Sequence, residues 1–311
     1  MTLRSVLSAV LAAALLAGPM VTVARADSNA EAHYKSGMAL KQSGQDDQAI
    51  KEFEAAVVAN PKHVMAWNSL GILYKKKGDF PHAVSAFEKA AELSPKNPQI
   101  ASNLGMAYYR AGREDDAIRL LDKAVELDPK NVDALENLGV LKRKKGDIDG
   151  AIKALEGAVK VKDKDATTWN NLAVAYRTAK RDDDALKAYQ QAVAIDPSVA
   201  EYHFGIGAVY RRKEKVEEAI AEYRKAVDLK PDFAEAWYDL GIMYRANHEN
   251  DLAVPAFQHY LELTRGKDKE ADKRVEEDIQ KMGGDAKAKP GVAPSGKDKP
   301  ATGKKKPKAG K

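Results

Sequence analysis

Seven times along the chain a small residue returns at an interval of 34 positions: Gly37, Gly71, Gly105, Gly139, Ala173, Gly207 and Gly241. Ala49, Ala83, Ala117, Ala151, Ala185, Ala219 and Ala253 keep the same interval, as do Phe53, Phe87, Leu121, Leu155, Tyr189, Tyr223 and Phe257. Pro61, Pro95, Pro129, Pro197 and Pro231 hold a fourth series, with Asp163 and Arg265 in its two vacant slots. A fixed period between about 20 and 50 residues marks stacked units, none of which can bury its own apolar face alone.

Each unit reads as two helices. Trp67, Leu70, Gly71 and Tyr74 fall three and four apart, on one helical face. Gly78 supplies the left-handed residue that ends a helix. A second helix runs through Ala83, Val84, Phe87, Ala90 and Leu93 until Pro95 stops it. Small residues at Gly71 and Ala83 let the two helices approach, and the aromatic residues fill the space between units.

Trp, Leu-Gly, Tyr, Ala, Phe, Ala and Pro at these offsets resemble the tetratricopeptide repeat. The resemblance spans 30–265 as seven units: 30–63, 64–97, 98–131, 132–165, 166–199, 200–233 and 234–265. It implies an all-α, right-handed superhelical solenoid. The pattern departs at His33 and His203, which take the Trp slot, and at Lys180, Glu214 and His248, which take the turn glycine. Tyr260 replaces a small residue in the seventh unit. In 267–282, Ala271, Val275, Ile279 and Met282 form one apolar stripe, as expected of a helix that caps the array.

The two ends of the chain differ from its body. Residues 1–26 read as an export signal: a basic start, the apolar run SVLSAVLAAALLAG, and Ala24 and Ala26 before an expected cut ahead of Asp27. That run is short for a membrane span, which needs about 20 residues; an uncleaved anchor is the alternative. Together these features predict a chain exported to a periplasm or secreted, in a bacterial style, without a transmembrane span once mature. Residues 283–311 carry nine lysines against two aspartates and no aromatic residue, so they are expected to form a disordered basic tail. The net charge of +5 therefore conceals a mildly acidic body, since the signal contributes +2 and the tail +7.

No catalytic constellation emerges, and no enzyme activity, cofactor or metal site is expected. Without cysteine there is no thiolate nucleophile or zinc thiolate cluster. The six histidines show no metal-ligand spacing. GVAPSGKD at 291–298 has the spacing of a phosphate loop but lacks the hydroxyl after its lysine and the flanking strand and helix.

Function then belongs on a surface. The resemblance implies that the first helix of each unit lines an inner groove. Slot twelve there holds Lys41, Lys75, Tyr109, Arg143, Arg177, Arg211 and Arg245, and slot thirteen adds Lys76, Arg110, Lys144 and Arg212. Cations at a helix end also favour its dipole, but the recurrence suggests a basic ladder. Slot nine is apolar throughout and includes Met106, Val140 and Val174, as a groove floor or as packing between first helices. Asn103, Asn137 and Asn171 in slot six offer amides that could hold a peptide backbone. The family's carboxylate-gripping subtype places an asparagine in slot nine, where this chain has only apolar residues. The reading is an exported adaptor for a protein or peptide that is acidic with apolar anchors. The alternative is a protein whose basic tail binds an anionic envelope polymer, with the repeats as spacer. Nucleic acid is disfavoured by the lack of aromatic stacking residues in the tail.

Overall fold

The computed structural model describes residues 19–288 and 290, and these form fifteen α-helices and no strand. The first, α1 (Pro19–Gln42), passes through the expected cut between Ala26 and Asp27 without a break. The whole apolar run assigned to an export signal, and the tail beyond 290, lie outside the described residues.

The remaining helices follow in pairs: α2 (Asp46–Ala59), α3 (Val64–Lys76), α4 (Phe80–Leu93), α5 (Pro98–Arg110), α6 (Glu114–Leu127) and α7 (Val132–Lys144). After them come α8 (Ile148–Val161), α9 (Ala166–Thr178), α10 (Asp182–Ile195), α11 (Ala200–Arg212), α12 (Val216–Leu229), α13 (Ala234–Ala246), α14 (Asn250–Thr264) and α15 (Lys269–Lys281). The chain divides into two compact units, one up to Lys145 and one from Gly146. The first holds repeats one to three and α7; the second holds α8, repeats five to seven and α15.

Local chemistry sets the helix ends. His63, Asp79, Asn97, Asn131, Asp147, Asp165 and Asp268 each accept a backbone N–H in the first turn of the following helix. Gly44, Gly78, Gly112 and Gly146 take positive φ in the turn between the helices of a pair. Lys180, Glu214 and His248 adopt the same left-handed conformation at φ of 60°, 58° and 61°. A Cβ disfavours that conformation, so the turn is kept there by the packing on either side.

The cores lie between the helices. In the first unit Phe53 and Phe87 are fully buried, and in the second Tyr189, Tyr223 and Phe257 are at most 1% exposed. A Cβ on Gly71 would stand 2.6 Å from the Phe87 ring, and one on Gly207 2.8 Å from Tyr223. These glycines exist because an aromatic ring occupies the place of their side chain. Within each unit successive first helices also touch, α3 with α5 and α5 with α7 in the first, and α9 with α11 in the second.

The last repeat is closed by α15, whose Val275 and Ile279 are buried against Phe257 and Leu261. Order continues past the expected limit at 282. Gln258 donates to the Asp285 carbonyl at 2.6 Å, Arg265 donates to that of Ala286 at 2.9 Å, and Ala286 is buried. Gly284 allows this return, because a Cβ there would meet Val254 at 2.6 Å.

Candidate functional site

Slot twelve ends each first helix, on the face that turns towards the next repeat. The contact that fixes this placement is Arg211 on α11, which donates to Asp239 of α13 at 2.6 Å. Asp239 stands in slot six of the next repeat, so slots twelve and six of successive repeats are neighbours. In the first unit the same two slots hold Lys75 and Asn103. Asn103 itself donates to Asn68 at 3.1 Å, whereas Asn137 and Asn171 are half-buried.

The basic residues separate into two groups. Lys76 holds Asp46, Lys144 holds Glu114 at 2.6 Å, and Arg212 holds Asp182. Each partner is an acid in the first turn of the preceding second helix, thirty residues back. Slot thirteen in these repeats therefore ties one repeat to the one before it and does not extend a free basic row. In slot twelve, Arg211 is bound to Asp239 and Arg245 to Asp278 of α15 at 2.5 Å. Lys41, Lys75, Arg110, Arg143 and Arg177 make no ion pair among the described residues.

In the first unit one paired cation and one unpaired cation lie near Tyr109. Lys144 Nζ lies 5.2 Å from the centre of that ring and the Arg110 guanidinium 5.9 Å. Burial lowers the Lys75 pKa, repulsion from Arg110 lowers it further, and Asp133 opposes both. In the second unit Arg177 acts on Asp239 and on the Tyr223 hydroxyl. Burial raises the Asp239 pKa, while Arg211 and Tyr223 work against that rise. Met106, Val140 and Val174 are half-buried, and Val174 packs on the core of the second unit. All three leave part of their surface exposed on first helices that also carry the cations.

Sequence reasoning did not find the two counter-ions, Asp239 and Asp278. It also did not find an alternation with twice the repeat length. The turn segments read YKKKGD at 74–79, KRKKGD at 142–147 and YRRKEK at 210–215, but YYRAGR at 108–113, YRTAKR at 176–181 and YRANHE at 244–249. That signal is visible at a spacing of 68 residues and is blurred when every unit is laid on one 34-residue frame. No group of three or more His, Asp or Glu side chains among the described residues could hold a metal ion.

Helix pairs repeated along the chain, the glycine–aromatic contact and the capped last pair match what comparison with known proteins finds. A family profile described as the TPR domain of cytochrome c-type biogenesis protein H matches residues 20–161, and two further tetratricopeptide-repeat profiles match 136–200 and 208–247. The chain is a tetratricopeptide-repeat protein. Its fold is the all-α helical-repeat solenoid. A crystal structure of MamA is 29% identical over 53% of this chain and 96% of that one, with a TM-score of 0.51. The C-terminal part of a TPR repeat-containing protein from Cytophaga hutchinsonii aligns with a TM-score of 0.64 over 77% of this chain and 98% of its own, at 17% identity. YrrB, described as a TPR protein with an unusual peptide-binding site, aligns at 0.54 over 64% and 100%, with 20% identity. The last two likenesses speak to the fold alone. No curated protein sequence matches the chain. No helix among the described residues is long and apolar enough to cross a membrane.

Proposed function

We propose that this tetratricopeptide-repeat protein is an adaptor that holds an acidic, apolar-anchored segment of a partner protein on the faces of its first helices. The observation that carries this reading is that unpaired cations, Lys41, Lys75, Arg110 and Arg143 in the first unit and Arg177 in the second, end first helices whose ninth slot is apolar and half-buried. Cations with no internal partner are free to meet a partner's carboxylates, and the apolar slot adds contact area between them. No catalytic role is assigned to any residue. The export-signal pattern of residues 1–26 supports work outside the cytoplasm.

The test is an affinity capture from envelope extract with the full chain. Lys75→Glu with Arg177→Glu should abolish retention of a specific partner and leave helical content nearly unchanged, because neither side chain makes an internal ion pair and neither is fully buried. Lys304→Glu with Lys306→Glu in the tail should leave retention intact. The opposite result would favour the tail as the binding element, with an anionic polymer as ligand. N-terminal sequencing of the exported protein itself should start at Asp27; a start at Met1 or Thr2 on a membrane-bound chain would favour the anchor instead.

A further inference from the structure

Asp239 breaks the pattern of its own slot. The same position on α5, α7 and α9 carries Asn103, Asn137 and Asn171, but on α13 it carries a carboxylate that is only 9% exposed. A buried carboxylate is costly unless cations and hydrogen bonds hold it. Here Arg211 approaches within 2.6 Å, and the two side chains are unlike in exposure, 42% for Arg211 against 12% for Asp239. One part of the guanidinium thus faces the carboxylate, and the rest is open to solvent.

A second arginine serves the same place. Arg177, one repeat before Arg211, makes no ion pair of its own, yet its charge acts on both Asp239 and Tyr223. The backbone carbonyl of Arg177 accepts from Arg212 at 2.9 Å, which draws the ends of α9 and α11 together. Between them slot six holds Gly205, where a Cβ would stand 2.4 Å from the Tyr189 ring. The Tyr189 ring fills the place that a side chain at slot six would take there. Tyr223 lies fully buried behind them. The group holds two guanidinium charges and one carboxylate, so it is one anion short of neutrality.

We infer that Arg177 and Arg211 form a seat for one acidic side chain of a partner segment, and that Asp239 is the internal counter-ion that holds Arg211 in place until that side chain arrives. A guanidinium has five donors in a planar fork and can serve two carboxylates at once. The incoming carboxylate would take the open side of Arg211 and the unpaired Arg177. Asp239 would compete with it for Arg211 and so lower the affinity of the empty seat. The identity of the ligand as an acidic side chain rests on the adaptor reading.

The experiment uses the full chain and a short fluorescein-labelled peptide alternating glutamate and leucine, followed by fluorescence anisotropy. Asp239→Asn should bind the probe about three- to tenfold more tightly, the scale of one charge-assisted hydrogen bond. Arg177→Ala should weaken it by a similar factor. In an Arg211→Ala background the gain from Asp239→Asn should disappear. Glu217→Gln removes one exposed charge from the neighbouring second helix and should change affinity by less than about twofold. A gain from Asp239→Asn no larger than that of Glu217→Gln overturns the seat while leaving the adaptor reading standing. If Asp239→Asn does not fold, Arg177→Ala decides, and unchanged affinity overturns the proposal. If the wild-type chain does not bind the probe at all, the seat and the acidic-partner reading fall together.

Discussion

Volume is exchanged residue for residue across each helix pair. Gly71 faces Phe87, with a hypothetical Cβ 2.6 Å from the ring, while Gly105 faces the smaller Leu121 at 3.1 Å. Gly71→Ala should therefore cost about 1–3 kcal/mol through overpacking. Adding Phe87→Leu should recover much of that loss, and a double-mutant cycle in urea unfolding measures the coupling; simple additivity would sink this account. Both residues are legible in the sequence because each recurs every 34 positions. Gly205 is not legible, because it stands in the asparagine slot. Its reason is Tyr189, which belongs to the previous repeat. The two histidines in the tryptophan slot are similar cases. His33 meets Glu52 at 2.8 Å and His203 meets Glu222 at 2.7 Å. At the glutamate position the other repeats carry Ala86, Leu120, Ala154, Ala188 and Ala256. Each departure from the pattern is thus matched by a second one 19 residues later, which a search along one column of the repeat does not see.

Neighbouring helices are joined in two alternating ways. At α2/α3, α6/α7 and α10/α11 two acids that open the second helix meet two cations that end the next first helix: Asp46 and Asp47 with Lys76 and Lys77, Glu114 and Asp115 with Lys144 and Lys145, Asp182 and Asp183 with Arg212 and Lys213. At α4/α5 and α8/α9 that ionic pair of pairs is missing and a tyrosine hydroxyl donates to a glutamate, Tyr108 to Glu88 and Tyr176 to Glu156, both at 2.7 Å, a bond that α2/α3 adds to its ionic joint through Tyr74 and Glu54 at 2.6 Å. Arg113 and Arg181 then lie over the Tyr108 and Tyr176 rings at 3.8 and 4.5 Å. In each ionic joint the inner acid is half-buried and the outer one exposed, so the joint should be sensitive to salt, whereas the other, stacked joints add a cation over a tyrosine ring. Asp182→Asn with Asp183→Asn should lower the melting midpoint by about 1–2 °C at low salt and by nothing measurable at about 1 M. An equal fall at both salt concentrations would show that packing rather than charge holds the joint. This alternation explains why a basic ladder read from one 34-residue frame mixes two kinds of residue. Lys76, Lys144 and Arg212 bind the preceding repeat, and Lys75, Arg143 and Arg177 do not.

For the molecule as a whole, the distribution of shifted carboxylates sets the response to acid. Lys77 lowers the pKa of Asp47, His82 that of Asp79 and Arg113 that of Asp116 in the first unit. In the second unit Lys162 lowers Asp165, Lys213 lowers Asp183, Ser198 lowers Asp196 and Lys230 lowers Glu201. Burial raises Glu222, but His203 and Lys225 outweigh it and leave that group lowered as well. A carboxylate with a depressed folded pKa binds fewer protons folded than unfolded. Its contribution is complete above the unfolded value near 4 and is lost as pH falls through the folded value. Asp239 has the opposite sign: burial raises it, so the folded chain gains relative stability when that group takes its proton. Eight groups act in one direction and a single one in the other. The melting midpoint should therefore hold steady from about pH 7 to 5 and fall between about pH 4 and 2. Because repeat arrays sum unit and neighbour terms, the acid melt should also broaden as the ionic joints fail before the stacked ones. Hydrogen exchange at about pH 3 would then show α2/α3 and α10/α11 opening ahead of α4/α5 and α8/α9. If the stacked joints open first, the ionic pairs are ornaments on a solenoid held by its glycine–aromatic contacts alone.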